Sequence, residues 1–325
     1  MEERAILVGF DPTDSDRELA KCLEPLARVH FQKDLSRIEL DGVRERAEVL
    51  IVGGWRGTLD GETVRSMSRL RLIQTLAAGV NHVPFSLLKG PVKVSTGSGA
   101  SSSQIAEHVF ALILSTAKNV VRHTVAMRNG LFPQGEESKT LRGKMLGILG
   151  VGSIGSHVGR LGKCLGMAVS GCDIKKPPTG ILDRFYDLEM LTEFLCEVDF
   201  LVVSVPLTNK TEGMIGKGEI SCMKPDATLV NVSRGAVIKE KDLFDHLKAY
   251  PSFTACLDVW WKYTADKTFK QNLPFEELDN VVMTPHNAAF YPGYHEKMVE
   301  LAFDKVLRYL KGEPLEDVAD HLDYI

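Results

Sequence analysis

Short apolar runs alternate with amphipathic segments along the chain. After residue 144 the runs are nearly continuous stretches of apolar residues, which is typical of parallel strands covered on both faces. The strands predicted there are Lys144–Leu149, Ala168–Cys172, Phe200–Val205, Thr228–Val232, Thr254–Val259 and Asn280–Thr284. Earlier strand candidates are Ala5–Phe10, Val49–Gly53, Leu70–Thr75 and Val92–Ser95. With helical segments between the strands, the alternation predicts an α/β fold.

Two predicted helices have distinctive apolar faces. The stretch Gly97–Ser103 is small and polar, as linkers are, and Ser101 and Gln104 have the spacing of a capping box. The helix that follows, Gln104–Lys118, is apolar on more than one face, which predicts burial in a core or between subunits. We favour a subunit interface, and therefore a homodimer. A closing helix with a single apolar stripe is predicted at Tyr294–Lys311.

Length and charge narrow the class of protein. The chain has 325 residues, 44% hydrophobic and 25% charged, with a formal net charge of −4, and this length suggests two domains. No block of like charge favours nucleic acid or an anionic membrane as a partner, and no apolar stretch approaches the roughly 18 residues of a membrane span. The start is acidic without a secretory pattern, and the six cysteines include no CxxC pair. We therefore expect a cytoplasmic protein with reduced thiols and no metal site.

A glycine motif follows the strand that ends at Leu149. It reads Gly-Val-Gly-Ser-Ile-Gly, it opens a helical stretch, and a second strand follows that helix. In such a motif the first glycine makes a tight turn, the second admits a pyrophosphate, and the third lets helix and strand pack closely. The helix N-terminus then offers N–H groups to the phosphates. The predicted cofactor contacts are Gly150, Gly152, Ser153, Ile154, Gly155 and Asp173.

Asp173 bears on which dinucleotide binds. It ends the second strand, 23 residues after Gly150, where a carboxylate accepts from the adenine ribose hydroxyls and repels a 2′-phosphate. NAD is therefore favoured over NADP. Lys175 and Lys176 lie nearby and keep NADP open, because cations there could accommodate the phosphate.

Three further polar segments lie at predicted strand ends. They are Asn231–Gly235, Leu257–Val259 and Thr284–Asn287. In a doubly wound sheet, ligands bind beyond the carboxyl ends of the strands. We therefore expect all three segments near the nicotinamide.

From about residue 70 to 311 the chain resembles the D-isomer-specific 2-hydroxyacid dehydrogenases. The matching pieces are Ala78–Asn81, Ala106–His108, the glycine motif with Asp173, Pro206–Thr208 with Thr211, Met223–Pro225, Asn231–Gly235, Leu257–Val259 and Thr284–His286. The resemblance implies two Rossmann-like domains: an NAD-binding doubly wound parallel sheet at 102–290, inserted into a flavodoxin-like substrate domain formed by 1–101 plus 291–325. The first 65 or so residues match only in strand pattern.

The resemblance also implies roles for individual residues. Arg234 would bind the substrate carboxylate and polarise its carbonyl, which suits the planar fork of a guanidinium. His286 would be the acid–base, because an imidazole exchanges protons near neutrality. The backbone of Ala78 and Gly79 would bind the substrate carboxylate. Further cofactor contacts are implied for Pro206, Thr211, Ser233 and Asp258.

One position departs from the family. The family pairs its histidine with a glutamate five residues after the aspartate, and here that position is Tyr263. Asp266 or Glu277 could replace the glutamate, His286 could act without it, or the substrate could need no proton relay, as in the related formate dehydrogenases. We favour an active enzyme whose histidine is unpaired or has a new partner, with Tyr263 in the catalytic group. Reduction of 2-oxo acids should then favour more acidic pH than in the usual pair.

Other side chains near the expected site allow two interpretations. The run Trp260–Tyr263 either reshapes an apolar substrate pocket or packs within the protein. Arg56, after an early strand, either meets an anionic group of the substrate or is solvated. Glu107 and His108 begin the long apolar helix and are interpreted as structural.

The predicted function is reversible hydride transfer between NAD(H) and a small D-2-hydroxy acid or 2-oxo acid, such as glyoxylate or hydroxypyruvate. The alternatives are a formate- or phosphite-type dehydrogenase and a non-catalytic protein that senses NAD(H). Retention of both Arg234 and His286 argues against the sensor.

Overall fold

The computed structural model describes residues 4–53, 59–177, 180–264, 266 and 268–325. Arg56, a candidate substrate contact, lies outside these residues. Backbone contacts divide the chain into a first unit, 1–101 with 291–325, and a second unit, 102–290.

The first unit is built on a parallel sheet of five strands in the order β2-β1-β3-β4-β5. The strands are β1 (Ala5–Val8), β2 (Arg28–Phe31), β3 (Ala47–Val52), β4 (Leu72–Thr75) and β5 (Lys93–Ser95). The helices are α1 (Asp14–Ala20), α2 (Arg37–Arg46), α3 (Gly61–Ser66) and the closing helix α10 (Tyr294–Leu310). Val299, Phe303 and Val306 of α10 are at most 1% exposed and pack in one core with β1 and β3. The apolar stripe of α10 thus covers one face of this sheet.

The second unit is built on a parallel sheet of seven strands in the order β12-β11-β10-β9-β6-β7-β8. The strands are β6 (Met145–Leu149), β7 (Ala168–Cys172), β8 (Arg184–Tyr186), β9 (Phe200–Val203), β10 (Thr228–Asn231), β11 (Thr254–Leu257) and β12 (Val281–Met283). The helices are α4 (Ser102–Ala117), α5 (Val120–Arg128), α6 (Ser153–Cys164), α7 (Leu191–Glu197), α8 (Lys217–Cys222) and α9 (Glu240–Ala249). The predicted α/β fold with doubly wound parallel strands is confirmed.

The strand order of the second unit reverses between β6 and β9. From β6 the chain builds outward through β7 to β8, and it then returns to pair β9 with the other side of β6. Two apolar cores lie on the two faces of this sheet, one containing α4 and α6 and the other α7, α8 and α9. Burial on both faces explains the continuous apolar runs of these strands.

The start of α4 differs from its predicted cap. The helix begins at Ser102, but Ser101 Oγ is buried without a hydrogen-bond partner among the described residues. The Gln104 side chain accepts a hydrogen bond from Ser103 Oγ at 2.9 Å. The capping box predicted at Ser101 and Gln104 is therefore wrong.

The apolar character of α4 is explained within a single chain. Val109, Phe110 and Ile113 are at most 5% exposed and pack in the core of the second unit. The more strongly exposed apolar side chains lie on α5 and just after it, where Val125 is 52% exposed and Phe132 is 72% exposed.

The cysteines are free thiols. Burial raises the pKa of the Cys256 thiol in β11 to about 12, so this sulfur stays protonated and serves as a packing group. Within the described ranges, no helix has the length and hydropathy needed to cross a bilayer.

Candidate active site

Five strand ends bring the predicted site segments to one edge of the second sheet. β6, β9, β10, β11 and β12 are parallel, so their carboxyl ends lie on the same side. The glycine motif follows β6, and the segments that carry Arg234, Asp258 and His286 follow β10, β11 and β12. The strand order reverses beside the glycine motif, at the place where ligands bind in open α/β sheets.

The glycine turn leaves no room for side chains at its two ends. Gly150 has a φ of +91°, and a Cβ there would lie 2.7 Å from the amide nitrogen of Val205. A Cβ at Gly155 would lie 2.3 Å from the carbonyl oxygen of Gly150. At Gly152, the N-cap of α6, a Cβ would meet no atom within 4 Å. The turn is thus packed tightly on its strand side and open at the helix N-terminus, which fits a pyrophosphate bound there.

Two side chains hold the glycine turn. Ser204, just after β9, donates its hydroxyl proton to the carbonyl oxygen of Gly150 at 2.7 Å. Asp173 accepts the amide of Val151 at 2.6 Å and the amide of Lys175 at 3.3 Å. The predicted ribose carboxylate therefore lies directly beside the turn. Ser153 and Ile154, the other predicted contacts, form the first turn of α6.

A compact turn follows β9. The Thr211 hydroxyl donates to the carbonyl oxygen of Pro206 at 2.6 Å and accepts the amide of Thr208 at 2.8 Å. Pro206 is exposed. Thr211 thus holds the loop in shape, and Pro206 lies on the outer surface of that loop. These two residues are the predicted cofactor contacts of this segment.

Asn231 holds the segment that carries Arg234. Its side chain is fully buried and accepts both the amide and the hydroxyl of Ser233, at 3.0 and 2.9 Å. The Asn231 amide group donates to the carbonyl oxygen of Arg234 at 3.0 Å. The Arg234 guanidinium is half-buried and donates to the carbonyl oxygen of Ser233 at 2.7 Å. The Arg234 backbone is therefore fixed independently of its guanidinium.

Gly235 brings the ends of β10 and β11 close together. A Cβ at this position would lie 2.4 Å from the carbonyl carbon of Trp260. The amide of Asp258 also donates to the carbonyl oxygen of Asn231 at 3.1 Å. The Arg234 segment and the Asp258 segment are thus joined through their backbones.

Asp258 is 1% exposed and binds the segment that carries His286. It accepts the Thr284 hydroxyl at 2.6 Å and the amides of Asn287 and Ala288 at 3.1 and 3.2 Å. His286 has a φ of +57°, which is uncommon outside glycine. Because the donors lie on both sides of His286 in sequence, Asp258 orders the backbone around the predicted acid–base.

Tyr263 lies against His286. The ring centroids are 5.5 Å apart with an interplanar angle of 46°. The Tyr263 hydroxyl oxygen accepts the amide of Trp260 at 3.0 Å. The side chain that replaces the family glutamate therefore does contact the histidine ring.

The two carboxylates considered as replacements are placed differently. Asp266 accepts the amide and the hydroxyl of Thr268 at 3.2 and 2.9 Å. The hydroxyls of Thr264 and Thr268, together with that amide, lower the pKa of Asp266. Its charge is thus stabilised within its own exposed turn. Glu277 is exposed at the end of a short 3₁₀ helix.

The two tryptophans beside Tyr263 pack within the second unit. Trp260 is 5% exposed, and its indole N–H donates to the carbonyl oxygen of Thr284 at 3.0 Å. Trp261 stacks on Phe275 with ring centroids 5.2 Å apart. The sequence allowed either packing within the protein or a reshaped substrate pocket, and the two tryptophans pack within the protein. Tyr263 differs from them, because it is 38% exposed.

Ala78 and Gly79 follow β4 in the first unit. Ala78 is exposed. A Cβ at Gly97 would lie within 2.5 Å of the carbonyl group of Leu76, and the Gly97 amide donates to the carbonyl oxygen of Ala77 at 2.9 Å. The loop that carries the predicted carboxylate-binding amides is thus packed against the start of the linker.

Two groups support the site in ways that sequence reasoning missed, although His108 itself was interpreted as structural. Ser204 holds the glycine turn, and His108 of α4 lies 3.2 Å from the Thr284 hydroxyl and 3.6 Å from Asp258. Both contacts join distant parts of the chain, so no local pattern marks them. Among the described residues, no group of three or more His, Cys, Asp or Glu side chains is arranged to hold a metal ion.

Comparison with known proteins identifies the family. Residues 110–288, more than half of the chain, match the D-isomer specific 2-hydroxyacid dehydrogenase, NAD binding domain. The chain is 31% identical over 315 residues to a D-3-phosphoglycerate dehydrogenase of Methanocaldococcus jannaschii, spanning 95% of this chain and 58% of that protein. It is 30% identical over 262 residues to a hydroxypyruvate reductase of Thermotoga maritima, spanning 80% of this chain and 82% of that protein.

A solved structure of similar fold covers nearly the whole chain. It is that of a proposed formate dehydrogenase from Pyrobaculum aerophilum, with a TM-score of 0.83 and 28% identity. The match covers 98% of this chain and 99% of the other. With the glycine turn and the three strand-end segments in place, this chain belongs to the D-isomer specific 2-hydroxyacid dehydrogenase family.

Proposed function

We propose that the protein transfers hydride reversibly between NAD(H) and a small 2-oxo or 2-hydroxy acid of D configuration. The observation that carries this proposal is the arrangement at one sheet edge of the glycine turn, the Arg234 segment and the His286 segment. When bound, the nicotinamide would supply or accept the hydride. The chain's own residues bind the substrate acid and transfer the proton.

Arg234 binds the substrate in this proposal. Its guanidinium offers two parallel N–H groups to a carboxylate and a positive charge to the adjacent carbonyl oxygen. The side chain is half-buried at the end of β10, where the electrostatic effect of the charge is larger than in bulk water. Its role is therefore both to orient the acid and to polarise the bond that is reduced.

His286 moves the proton. In reduction the imidazolium gives a proton to the ketone oxygen, and in oxidation the neutral imidazole takes one from the alcohol. The backbone clamp from Asp258 and the contact with Tyr263 hold the ring in place. A neutral phenol stabilises an imidazolium less than the family's carboxylate does, so we expect reduction to favour more acidic pH than in a histidine–glutamate pair.

We assign the cofactor to 102–290 and the substrate loops to 1–101 with 291–325. The match to the NAD binding domain supports the first assignment. The loop at Ala78 and Gly79 supports the second through its exposed position after β4. We further propose a cytoplasmic homodimer, with the exposed apolar side chains of α5 as the candidate contact.

The test of this function follows NADH absorbance with a panel of 2-oxo acids that includes glyoxylate and hydroxypyruvate. Saturable oxidation of NADH with at least one of them is expected. Cofactor binding without turnover on any acid would contradict the proposal and favour an NAD(H) sensor.

Oxidation of formate is the second candidate. It is favoured by the replacement of the family glutamate with Tyr263 and by the similarity to the Pyrobaculum protein. Formate oxidation releases carbon dioxide and needs no proton transfer to a carbonyl oxygen. NAD reduction with formate, together with no turnover of 2-oxo acids, would replace the leading proposal with this one.

Asp173 provides a prediction about cofactor choice. In Asp173→Asn the side-chain oxygen can still accept the Val151 amide, but the charge that repels a 2′-phosphate is lost. The ratio of kcat/KM for NADPH to that for NADH should rise about tenfold, which corresponds to roughly 1.4 kcal/mol.

The matched control is Asp183→Asn. Asp183 likewise accepts a backbone amide, that of Val169 at 2.8 Å. It lies just before β8 of the same unit and not beside the glycine turn. The control should leave the ratio unchanged. An equal ratio in both variants would show that Asp173 does not select the cofactor.

A further inference from the structure

A part-buried chain of hydrogen-bonded side chains connects α4 to the segment that carries His286. His108 lies on α4, and its Nε2 atom is 3.2 Å from the Thr284 hydroxyl oxygen. That hydroxyl lies 2.6 Å from Asp258, which is 1% exposed. The hydrogen bonds therefore lead from His108 through Thr284 to the carboxylate of Asp258.

The direction of each hydrogen bond follows from donor and acceptor accounting. The Asp258 carboxylate can only accept, so the Thr284 hydroxyl proton points to it. The hydroxyl oxygen then has only lone pairs left, so His108 must carry hydrogen on Nε2 and donate it. The structure thus assigns the Nε2–H form to His108 in this contact.

The hydrogen bonds to Asp258 hold the backbone on both sides of His286. Thr284 lies two residues before it, and Asn287 and Ala288, whose amides also donate to Asp258, lie one and two residues after it. His286 itself has a left-handed φ of +57°. Such a backbone persists only when its surroundings enforce it. Three hydrogen bonds to one buried carboxylate provide that enforcement.

The backbone amide and carbonyl group of Thr284 are also held by hydrogen bonds. Its amide donates to the carbonyl oxygen of Leu257 at 3.0 Å, and its carbonyl oxygen accepts the indole N–H of Trp260 at 3.0 Å. With its backbone held in this way, removal of the hydroxyl should change mainly the contacts with Asp258 and His108.

We propose that Thr284 and His108 are positioning residues for His286 and act on it through Asp258. The proposal rests on the acid–base role proposed for His286. Neither residue touches reacting atoms in this proposal, so their loss should slow proton transfer much more than it weakens dinucleotide binding.

The test compares Thr284→Val with Thr284→Ser. Valine keeps the shape and removes the hydroxyl, and we expect kcat for 2-oxo acid reduction to fall about tenfold, while the Kd for NADH stays within about twofold. Serine restores the hydroxyl and should recover most of kcat. The solvent deuterium isotope effect on kcat should rise in Thr284→Val, because proton transfer then limits the rate.

Thr228→Val is the matched control. Thr228 is fully buried in β10 of the same sheet, and its hydroxyl oxygen has no hydrogen-bond partner in the part of the chain that the structure describes. The control loses a hydroxyl of the same kind and should keep the wild-type kcat and isotope effect.

His108 provides a second variant should Thr284→Val fail to fold. His108→Leu removes the outer donor, and we expect kcat to fall about threefold. His108→Gln should recover most of that loss, because its amide can donate from nearly the same place. Wild-type kcat in both Thr284→Val and His108→Leu would overturn the proposal. An equal loss in Thr284→Ser, or an NADH Kd weakened as much as kcat, would also overturn it.

A readout without turnover separates this proposal from the function on which it rests. The rate of His286 modification by diethyl pyrocarbonate, followed by peptide mass spectrometry, should rise at least threefold in Thr284→Val and not in Thr228→Val. If the wild-type protein reduces no 2-oxo acid, the proposed function fails, and this rate still decides the positioning role. Equal rates in the two variants would refute the role.

Discussion

Replacing Arg234 with glutamine is expected to lower kcat/KM for a 2-oxo acid by about 10³-fold, on the order of 4 kcal/mol. In the proposed role, the guanidinium supplies both the paired donors for the carboxylate and the charge that polarises the carbonyl, and glutamine lacks both. The fold should survive, because Asn231 holds the Arg234 backbone through its carbonyl oxygen. Steady-state reduction of glyoxylate and hydroxypyruvate with NADH measures the loss.

Two further variants show whether the effect belongs to this position. Arg184→Gln is the matched control: Arg184 pairs with Glu197 at 2.7 Å and its side chain is 64% exposed, so the pair contributes little to stability. It should keep wild-type kinetics. Lysine at 234 restores the charge without the fork and should recover only part of the activity. Wild-type kcat/KM in Arg234→Gln would rule out this residue as the substrate-binding cation.

The central strands could be predicted because their environment is uniform. β6, β9, β10 and β11 are covered on both faces, so most of their positions are apolar and the run is visible in the sequence. β2 and β8 were not predicted. They lie at sheet edges, and each includes an exposed arginine, Arg28 in one and Arg184 in the other, so the burial that produces an apolar run is missing there.

The glycine turn could be predicted because the local backbone leaves no room for a side chain at the ends of the turn. A side chain at Gly150 or Gly155 would overlap backbone atoms nearby, so the spacing of the motif records the geometry directly. The cap at Ser101 could not be predicted in the same way. Several small polar residues precede α4, and the spacing of two of them does not determine which hydroxyl meets an amide.

The polar support of His286 had no signal in the sequence. His108 and Thr284 are 176 positions apart, and their contact arises only when α4 packs beside the end of β12. Tyr263 shows the intermediate case. Its departure from the family pattern was visible, but its contact with His286 depends on the course of the loop after β11. Sequence patterns therefore mark the proposed acid–base more readily than the groups that hold its backbone.

Replacing His286 with asparagine is expected to lower kcat for 2-oxo acid reduction by about 10²- to 10⁴-fold, with little change in NADH binding. Asparagine tolerates the left-handed φ of +57° better than most residues do, so the backbone clamp should persist. It cannot exchange a proton in the range where an imidazole does. Wild-type kcat should fall as pH rises through the histidine range, because reduction consumes the imidazolium, and the variant should lose this limb. Rapid kinetics and a pH–rate profile measure both effects.

His123→Asn is the matched control for this change. His123 lies in α5 of the same unit, and its ring contacts Glu136 at 3.3 Å in an exposed pair. It should keep both the rate and the pH limb. A His286→Asn variant that loses both the rate and the pH limb, while His123→Asn keeps both, has lost its acid. A variant that keeps both the rate and the limb would show that another group carries the proton.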